Sequence, residues 1–421
     1  MDYSTQALDA LERGQIDEFN KIFKAALKSD SDDMLYSLAE ELYSLGFSEN
    51  SKQIYEQLLK KYPDDDGLKI NLAELAIDND DDDKALNLLS EISSNSDEYV
   101  RSLLVSADLY QTQGMFEISD QKLIEAQFLA PEEDVIKFAL AEFYFNTRSF
   151  RKAINIYLEL IKEGTLEMSA VNLVERLGVS YAETGKFEQA LGYLEQIKPI
   201  NMSPDVRFEL GFTYFSLGEY EKAITEFEEL KETDSQYSSL YPYLADAHVE
   251  LNQFDIALIA IQEGLAVDQY NEEMWRKASE IAAKTGNEEL VGEYLQKAHE
   301  TNPEDISIMS SLSDWYIVNG KHDENIELLK PIAEQSFEDA HLEYNLALSR
   351  KANGDIKGAA TAFGAAEREL GDDTNYLKDA IFFYRENGNR DKELELLNKY
   401  LNLLPDDFEM QNMYDEDSEG F

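Results

Sequence analysis

The run Asp78-Asn79-Asp80-Asp81-Asp82-Asp83 is where this sequence comes closest to a metal site. A calcium loop of the EF-hand kind needs Gly at its sixth place, for the sharp turn, and a bidentate Glu at its twelfth. Here those places hold Asp83 and Leu89. The other use of such a run is capping: an Asp ahead of a helix accepts from its free N–H groups and favours its positive end. Capping is the preferred reading, and no metal is expected. The histidines, His248, His299, His322 and His341, form no His-x-x-x-His or His-Glu-x-x-His pair. His248 takes a core position in its helix and is expected to be packed and hydrogen-bonded. No Gly-x-Ser-x-Gly elbow is present, and no strand pattern precedes a glycine-rich phosphate loop. The absence of cysteine removes disulfides, thiolate zinc sites and thiol nucleophiles. Catalysis has no anchor here, so the chain is read as a non-enzyme without a cofactor.

Charge says more. The 421 residues carry 37 basic and 87 acidic side chains, a net −50. Such a chain repels nucleic acid and anionic membrane surfaces, so a partner drawn by charge must be basic. Self-repulsion also favours an extended shape, although plain solubility accounts for the same composition. With 24 Tyr and 21 Phe there is enough apolar surface for a large core. The opening Met1-Asp2-Tyr3-Ser4-Thr5-Gln6-Ala7-Leu8 lacks the basic and apolar regions of a secretory signal. No apolar stretch approaches the roughly 18 residues that span a bilayer. A cytoplasmic location is expected.

The elements that position these residues repeat. Gly14, Gly46, Gly114, Gly185, Gly218, Gly286, Gly320, Gly354 and Gly388 recur as helix breakers, with Asp80, Arg148 and Asn252 in the same register. Eight of the eleven intervals are 34 residues. Apolar-periodic segments lie on both sides of each breaker, which predicts twelve helix–turn–helix units. With the breaker numbered fifteenth, position 8 is small in eleven units, Ala7, Ala39, Gly178 and Gly211 among them. A small residue there lets the two helices of a unit approach closely. Position 24 is always large and apolar, as at Tyr55, Tyr157, Leu194 and Phe227, and is expected to act as a knob into the next unit. Position 20 is small in eight units, and Pro63, Pro131, Pro303 and Pro405 stand at position 32, where the second helix must end.

This pattern of small residues, Gly, aromatic and Pro at a period of 34 resembles the tetratricopeptide repeat family over about residues 2–405. The chain's opening, length and acidic end are similar to the long cytosolic YpiA-like repeat proteins of low-GC Gram-positive bacteria. The resemblance implies an all-α, right-handed superhelical solenoid of about twelve repeats. Three extra residues near Glu163-Gly164-Thr165 suggest a bend dividing an N-terminal arm, 1–165, from a C-terminal arm, 166–405. Pro331 falls inside the tenth unit's second helix, which should kink or end early. Gln6 replaces an apolar residue at the first unit's position 7, as a capping repeat requires. The acidic tail, 406–421, is expected to dock Phe408 and Met413 as a short capping helix and otherwise to be disordered.

The resemblance also implies that first helices line a concave groove, through positions 2, 5, 9, 12 and 13. Position 9 is acidic at Glu40, Glu74, Asp108, Glu142, Asp246, Glu280 and Asp314. Apolar groups stand at positions 5 and 12: Tyr36, Tyr43, Ile70, Ile77, Leu104, Phe138 and Phe145. Carboxylates alternating with apolar surface suit a basic, apolar peptide or helix, while the acids alone read equally well as a solvated face. Phe208, Phe212 and Phe215 follow at i, i+4 and i+7 in the seventh unit, opposite Leu210, Gly211 and Tyr214, so either a neighbouring repeat or a partner covers them. Formal charge at the groove positions is −5 in units two to five, −5 in six to eight and +1 in nine to twelve. The chaperone-tail clamp of some eukaryotic relatives needs Lys and Asn where this chain has Tyr36 and Glu40, so that function is rejected. The leading reading is a protein-interaction scaffold, with another protein as partner and an undetermined oligomeric state. The alternatives are a peptide-sensing or phosphorelay regulator, which usually carries an extra N-terminal module, and an enzyme with a cryptic site.

Overall fold

A computed structural model describes residues 2–335 and 339–418. The chain forms two compact units, Met1–Met202 and Ser203–Phe421. The first contains six helix pairs: α1 (Tyr3–Glu12) with α2 (Ile16–Ser29), α3 (Asp32–Ser44) with α4 (Ser48–Lys61), α5 (Asp66–Ile77) with α6 (Asp82–Ser90), α7 (Tyr99–Thr112) with α8 (Phe116–Leu129), α9 (Asp134–Asn146) with α10 (Phe150–Lys162), and α11 (Leu173–Glu183) with α12 (Phe187–Leu194). A two-stranded hairpin, β1 (Glu167–Met168) and β2 (Val171–Asn172), lies between α10 and α11. The second unit has six more pairs: α13 (Pro204–Ser216) with α14 (Tyr220–Thr233), α15 (Leu240–Glu250) with α16 (Phe254–Val267), α17 (Glu272–Thr285) with α18 (Glu288–Thr301), α19 (Ile306–Val318) with α20 (His322–Gln335), α21 (Ala340–Ala352) with α22 (Ile356–Leu370), and α23 (Thr374–Glu386) with α24 (Arg390–Leu403). A single helix, α25 (Phe408–Ser418), follows. Each unit is thus an all-α stack of helix–turn–helix repeats.

The turn residue explains the repeat. All twelve fifteenth positions have left-handed backbone, with φ between 56° at Arg148 and 82° at Gly46. Each turn N–H bonds back into the last turn of the first helix, as Gly46 N does to Tyr43 O at 3.0 Å. Glycine adopts this conformation without a Cβ penalty, whereas Asp80, Arg148 and Asn252 adopt it against one. Caps then restart the chain. Asp81 accepts from Lys84 N, which is the capping role expected of the acidic run, and Ser31, Ser203 and Asp305 cap α3, α13 and α19 in the same way.

Packing inside a repeat rests on positions 8 and 24. Both are buried in every repeat, down to 0% exposure at Ala39, Ala141, Tyr157 and Phe363. Position 24 does pack on the next unit, as Phe363 does on Phe383 with ring centres 4.9 Å apart, and it has a second role within its own repeat. A Cβ built on Gly178 would meet Leu194 at 2.7 Å, and one built on Gly211 would meet Phe227 at 2.7 Å. The large residue therefore closes over the small one of its own repeat, because the two antiparallel helices are drawn together by the tight turn.

Three further expectations change. A strand pair exists where none was visible: Ser169 and Ala170 both take positive φ, as a two-residue hairpin turn requires, yet neither is the usual Asn or Gly. Asn172 ends that hairpin and caps α11 by accepting from Val174 N and Glu175 N. The hairpin occupies the insertion, between α10 and α11, which pack on each other. Pro331 does not end α20, which continues a further turn to Gln335. The tail forms α25, but Met410 and Met413 are its buried residues, and Phe408 is 75% exposed. Met410 takes the core place because Asp407 caps the helix start and turns Phe408 outward. The last tail residues, 419–421, lie outside the described residues.

Candidate functional site

The first helices of repeats two, three and four, α3, α5 and α7, line an open cavity of about 250 Å³ on the face where the groove was expected. Tyr43, Ile77, Leu104 and Val105 form its apolar wall, and Glu74, Asp78 and Asp108 supply carboxylates. The spacing follows from the helical period: Glu74, Ile77 and Asp78 share one face of α5, as Leu104, Val105 and Asp108 share one face of α7. Tyr43 Oη donates to Asp78 Oδ2 at 2.7 Å. Arg101 Nη2 donates to both Glu74 oxygens, at 3.2 and 3.1 Å, and to Asn71 Oδ1 at 2.6 Å. Asn71 in turn donates to Tyr36 Oη at 3.1 Å. Burial raises the pKa of Glu74 above the usual carboxylate range against the pull of Arg101. Partial burial, with the Asp78 charge, likewise raises Asp108, although both carboxylates keep exposed surface. Among the described residues, neither Asp78 nor Asp108 forms an ion pair.

Several candidate groove residues have other uses. Ile70 is fully buried and Phe138 is 8% exposed, so the core takes both. Their helices α5 and α9 are apolar on two sides because each packs between flanking helices. Glu142 binds Arg176 Nε at 3.1 Å and Nη2 at 3.1 Å, and also accepts from Tyr157. The same guanidinium lies 4.3 Å from the centre of the Phe145 ring. Asp246 is paired with Lys277. Glu40 is exposed, and Tyr36, Tyr43 and Leu104 are half-buried.

The phenylalanine ridge of α13 is covered in part by its neighbour. Phe208 and Phe212 stack at 6.3 Å, and Tyr243 of α15 stands edge-on to Phe208, Phe212 and Phe215 at 5.7, 5.1 and 5.8 Å. All three Phe rings remain half-buried.

These contacts share a rule absent from the five groove positions. Position 6 of one repeat reaches back to positions 5, 8, 9 or 12 of the preceding one. Asn71 meets Tyr36, Arg176 meets Glu142 and Phe145, and Tyr243 meets the Phe ridge. Lys277 meets Asp246, Asn345 donates to Asp314 at 2.7 Å, and Asp379 accepts from Tyr344. The signal was available as an acid at position 9 followed by a base at position 6 of the next repeat. The formal groove charge omitted these bases and thereby overstated the negative field around Glu142 and Asp246.

Stacked pairs with a left-handed turn and a small residue under a large one define a tetratricopeptide repeat protein, a scaffold for binding other proteins or peptides. Family models for tetratricopeptide repeats match residues 49–106 and 204–237. More specific models match too, "YpiA-like, tetratricopeptide repeats" over 111–165 and "YpiA-like, C-terminal tetratricopeptide repeats" over 341–407. The TPR repeat-containing protein YpiA of Bacillus subtilis (strain 168) is 32% identical over 399 residues, 94% of each chain. The chain belongs to the YpiA-like family of tetratricopeptide repeat proteins. Solved structures similar to it include a tetratricopeptide repeat protein from Parabacteroides merdae (17% identity, 61% of this chain and 97% of that one, TM-score 0.42). Another is the C-terminal part of a repeat protein from Cytophaga hutchinsonii (12% identity, 65% and 98%, TM-score 0.45). No helix among the described residues is long and apolar enough to cross a membrane.

Proposed function

We propose that this cytoplasmic scaffold holds a partner segment bearing a Lys or Arg with apolar neighbours, in the cavity formed by α3, α5 and α7. The observation that carries the reading is the pair of carboxylates, Asp78 and Asp108, standing without an ion-pair partner at an apolar wall. Asp108 is disfavoured as an anion by partial burial and by the neighbouring Asp78 charge, and an incoming ammonium or guanidinium relieves that penalty. Tyr43, Ile77 and Leu104 then cover the aliphatic stem of the same side chain. Charge governs the association rate and its salt dependence, and the apolar contacts govern the lifetime.

The test uses the full chain and a ten-residue peptide of alternating Leu and Arg. Asp78→Asn with Asp108→Asn keeps the shape and removes both charges. Binding should weaken by about tenfold, as expected for two contacts of roughly 0.7 kcal/mol each, and its salt dependence should shrink. Unchanged affinity in the double variant, or equal binding of a Leu/Glu peptide, would rule the reading out.

A further inference from the structure

Repetition supplies its own control for surface residues, and α8 departs from it. At position 29, near the end of the second helix, other repeats carry Lys28, Lys60, Lys162, Glu232, Glu300 or Arg368. In α8 that place holds Phe128, 84% exposed. Ile124, one helical turn earlier, is 47% exposed, where nine other repeats have a polar residue, Lys24, Glu56 and Glu228 among them, and one has Leu158. Leu129 is also exposed, at 48%. The helix keeps its inward face regardless, through Ser119, Leu123 and Ala126. The outward apolar groups are therefore additional to those that fold the repeat. Spacing of i and i+4 makes a ridge along the helix axis, the form that an apposed helix covers.

The ridge lies in an acidic rim. Residues 115–135 contain Glu117, Asp120, Glu125, Glu132, Glu133 and Asp134 against Lys122, and Lys152 of α10 lies 3.8 Å from Asp120 alone of these acids. Glu117 shares the ridge's stripe, and Glu132 and Glu133 are exposed just beyond its C-terminal end, where the helix dipole adds negative potential. A second copy of the chain would bring the same rim and another −50 charge against it. An anionic lipid surface meets the same repulsion. We infer that the outer face of α8 is a second docking surface, separate from the α3–α5–α7 cavity, and that its occupant is an amphipathic helix of a partner protein with an apolar stripe flanked by Lys or Arg. The apolar stripe covers Ile124 and Phe128, and the flanking bases meet Glu117, Glu125 and Glu132.

The probe is a fluorescein-labelled 18-residue Leu/Lys amphipathic helix, titrated with the full chain and followed by anisotropy. Ile124→Ser with Phe128→Ser should weaken binding at least tenfold while the far-UV spectrum and melting temperature stay unchanged, because both side chains are exposed. Ile124→Lys with Phe128→Lys should abolish binding of this peptide, and a Leu/Glu counterpart should not bind the unaltered chain. Equal affinity for the serine variant would overturn the proposal. So would binding lost in Asp78→Asn with Asp108→Asn but kept in the serine variant, which places the peptide in the cavity and leaves the groove reading standing. Ridge-dependent binding to phosphatidylcholine vesicles without any binding of the peptide would also overturn it, in favour of a lipid surface.

Discussion

A Cβ placed on Gly211 would lie 2.7 Å from Cε1 of Phe227, a ring with no exposed surface. The two residues belong to one repeat, and the space that glycine leaves is the seat of the ring. Alanine fills the small position in seven other repeats, and Gly178, Ser279, Ser313 and Ile381 in the rest, so the fit of each pair has been set separately.

Replacing Gly211 by Ala should therefore destabilise the protein, despite the gain of about 1 kcal/mol that Ala brings to a helix interior. Overpacking costs roughly 1–3 kcal/mol, and the closed core gives Phe227 nowhere to move. Gly364→Ala is the control: it lies within α22, and a Cβ there meets nothing within 4 Å. Denaturant melts should show Gly364→Ala more stable by roughly 0.5–1 kcal/mol and Gly211→Ala less stable. The same sign for both would refute the packing argument.

Asp80 holds a left-handed turn, φ 57°, that nine glycines hold elsewhere. Asp80→Gly removes the Cβ strain and one charge from a crowded acidic run, against a smaller loss through the freer unfolded chain. A gain of about 0.5–1 kcal/mol is expected. Arg148→Gly should gain less, since it gives up an exposed ion pair with Glu183 at 3.0 Å. Thermal melts of the two variants decide the order.

Phe212→Ala should lower stability by roughly 2 kcal/mol, less than the 3–5 of a fully buried Phe. It removes a ring stacked on Phe208 and in edge contact with Tyr243 at 5.1 Å. Tyr243→Ala should cost a similar amount, and the double variant should cost less than the sum. Strict additivity in chemical denaturation would mean that the rings do not support one another.

His341 Nε2 lies 2.7 Å from Asp314 Oδ1, and the bond to that carboxylate holds the imidazole pKa above its usual value. The histidine and asparagine beside Asp314 lower its own pKa despite burial. A raised histidine stabilises the fold fully below about pH 6.5. That contribution is lost as pH rises through the folded pKa. The lowered Asp314 contributes above about pH 4 and is lost on acidification. Proton NMR titration should place His341 above an unperturbed histidine, and Asp314→Asn should bring it down. A His341 titration indifferent to that substitution contradicts the pairing. The effect on stability is small, since both side chains are about half exposed.

The sequence by itself determined the repeat. A residue that tolerates positive φ every 34 positions, small residues at position 8 and large ones at position 24 fix where each helix starts, stops and buries its face. These are local properties, so they read through even where Asp80, Arg148 or Asn252 stands in for glycine. The tertiary structure decided which side chains meet between repeats. Arg176 lies 34 residues from Glu142, and Tyr243 lies 31 from Phe212, in separate helices whose relative rotation no local pattern specifies. The same rotation buries Ile70 and leaves Leu104 on the cavity wall, although both stand at position 5. The hairpin at 167–172 was hidden for a different reason: its turn uses Ser169 and Ala170, whose positive φ is held by their surroundings and not favoured by their own chemistry.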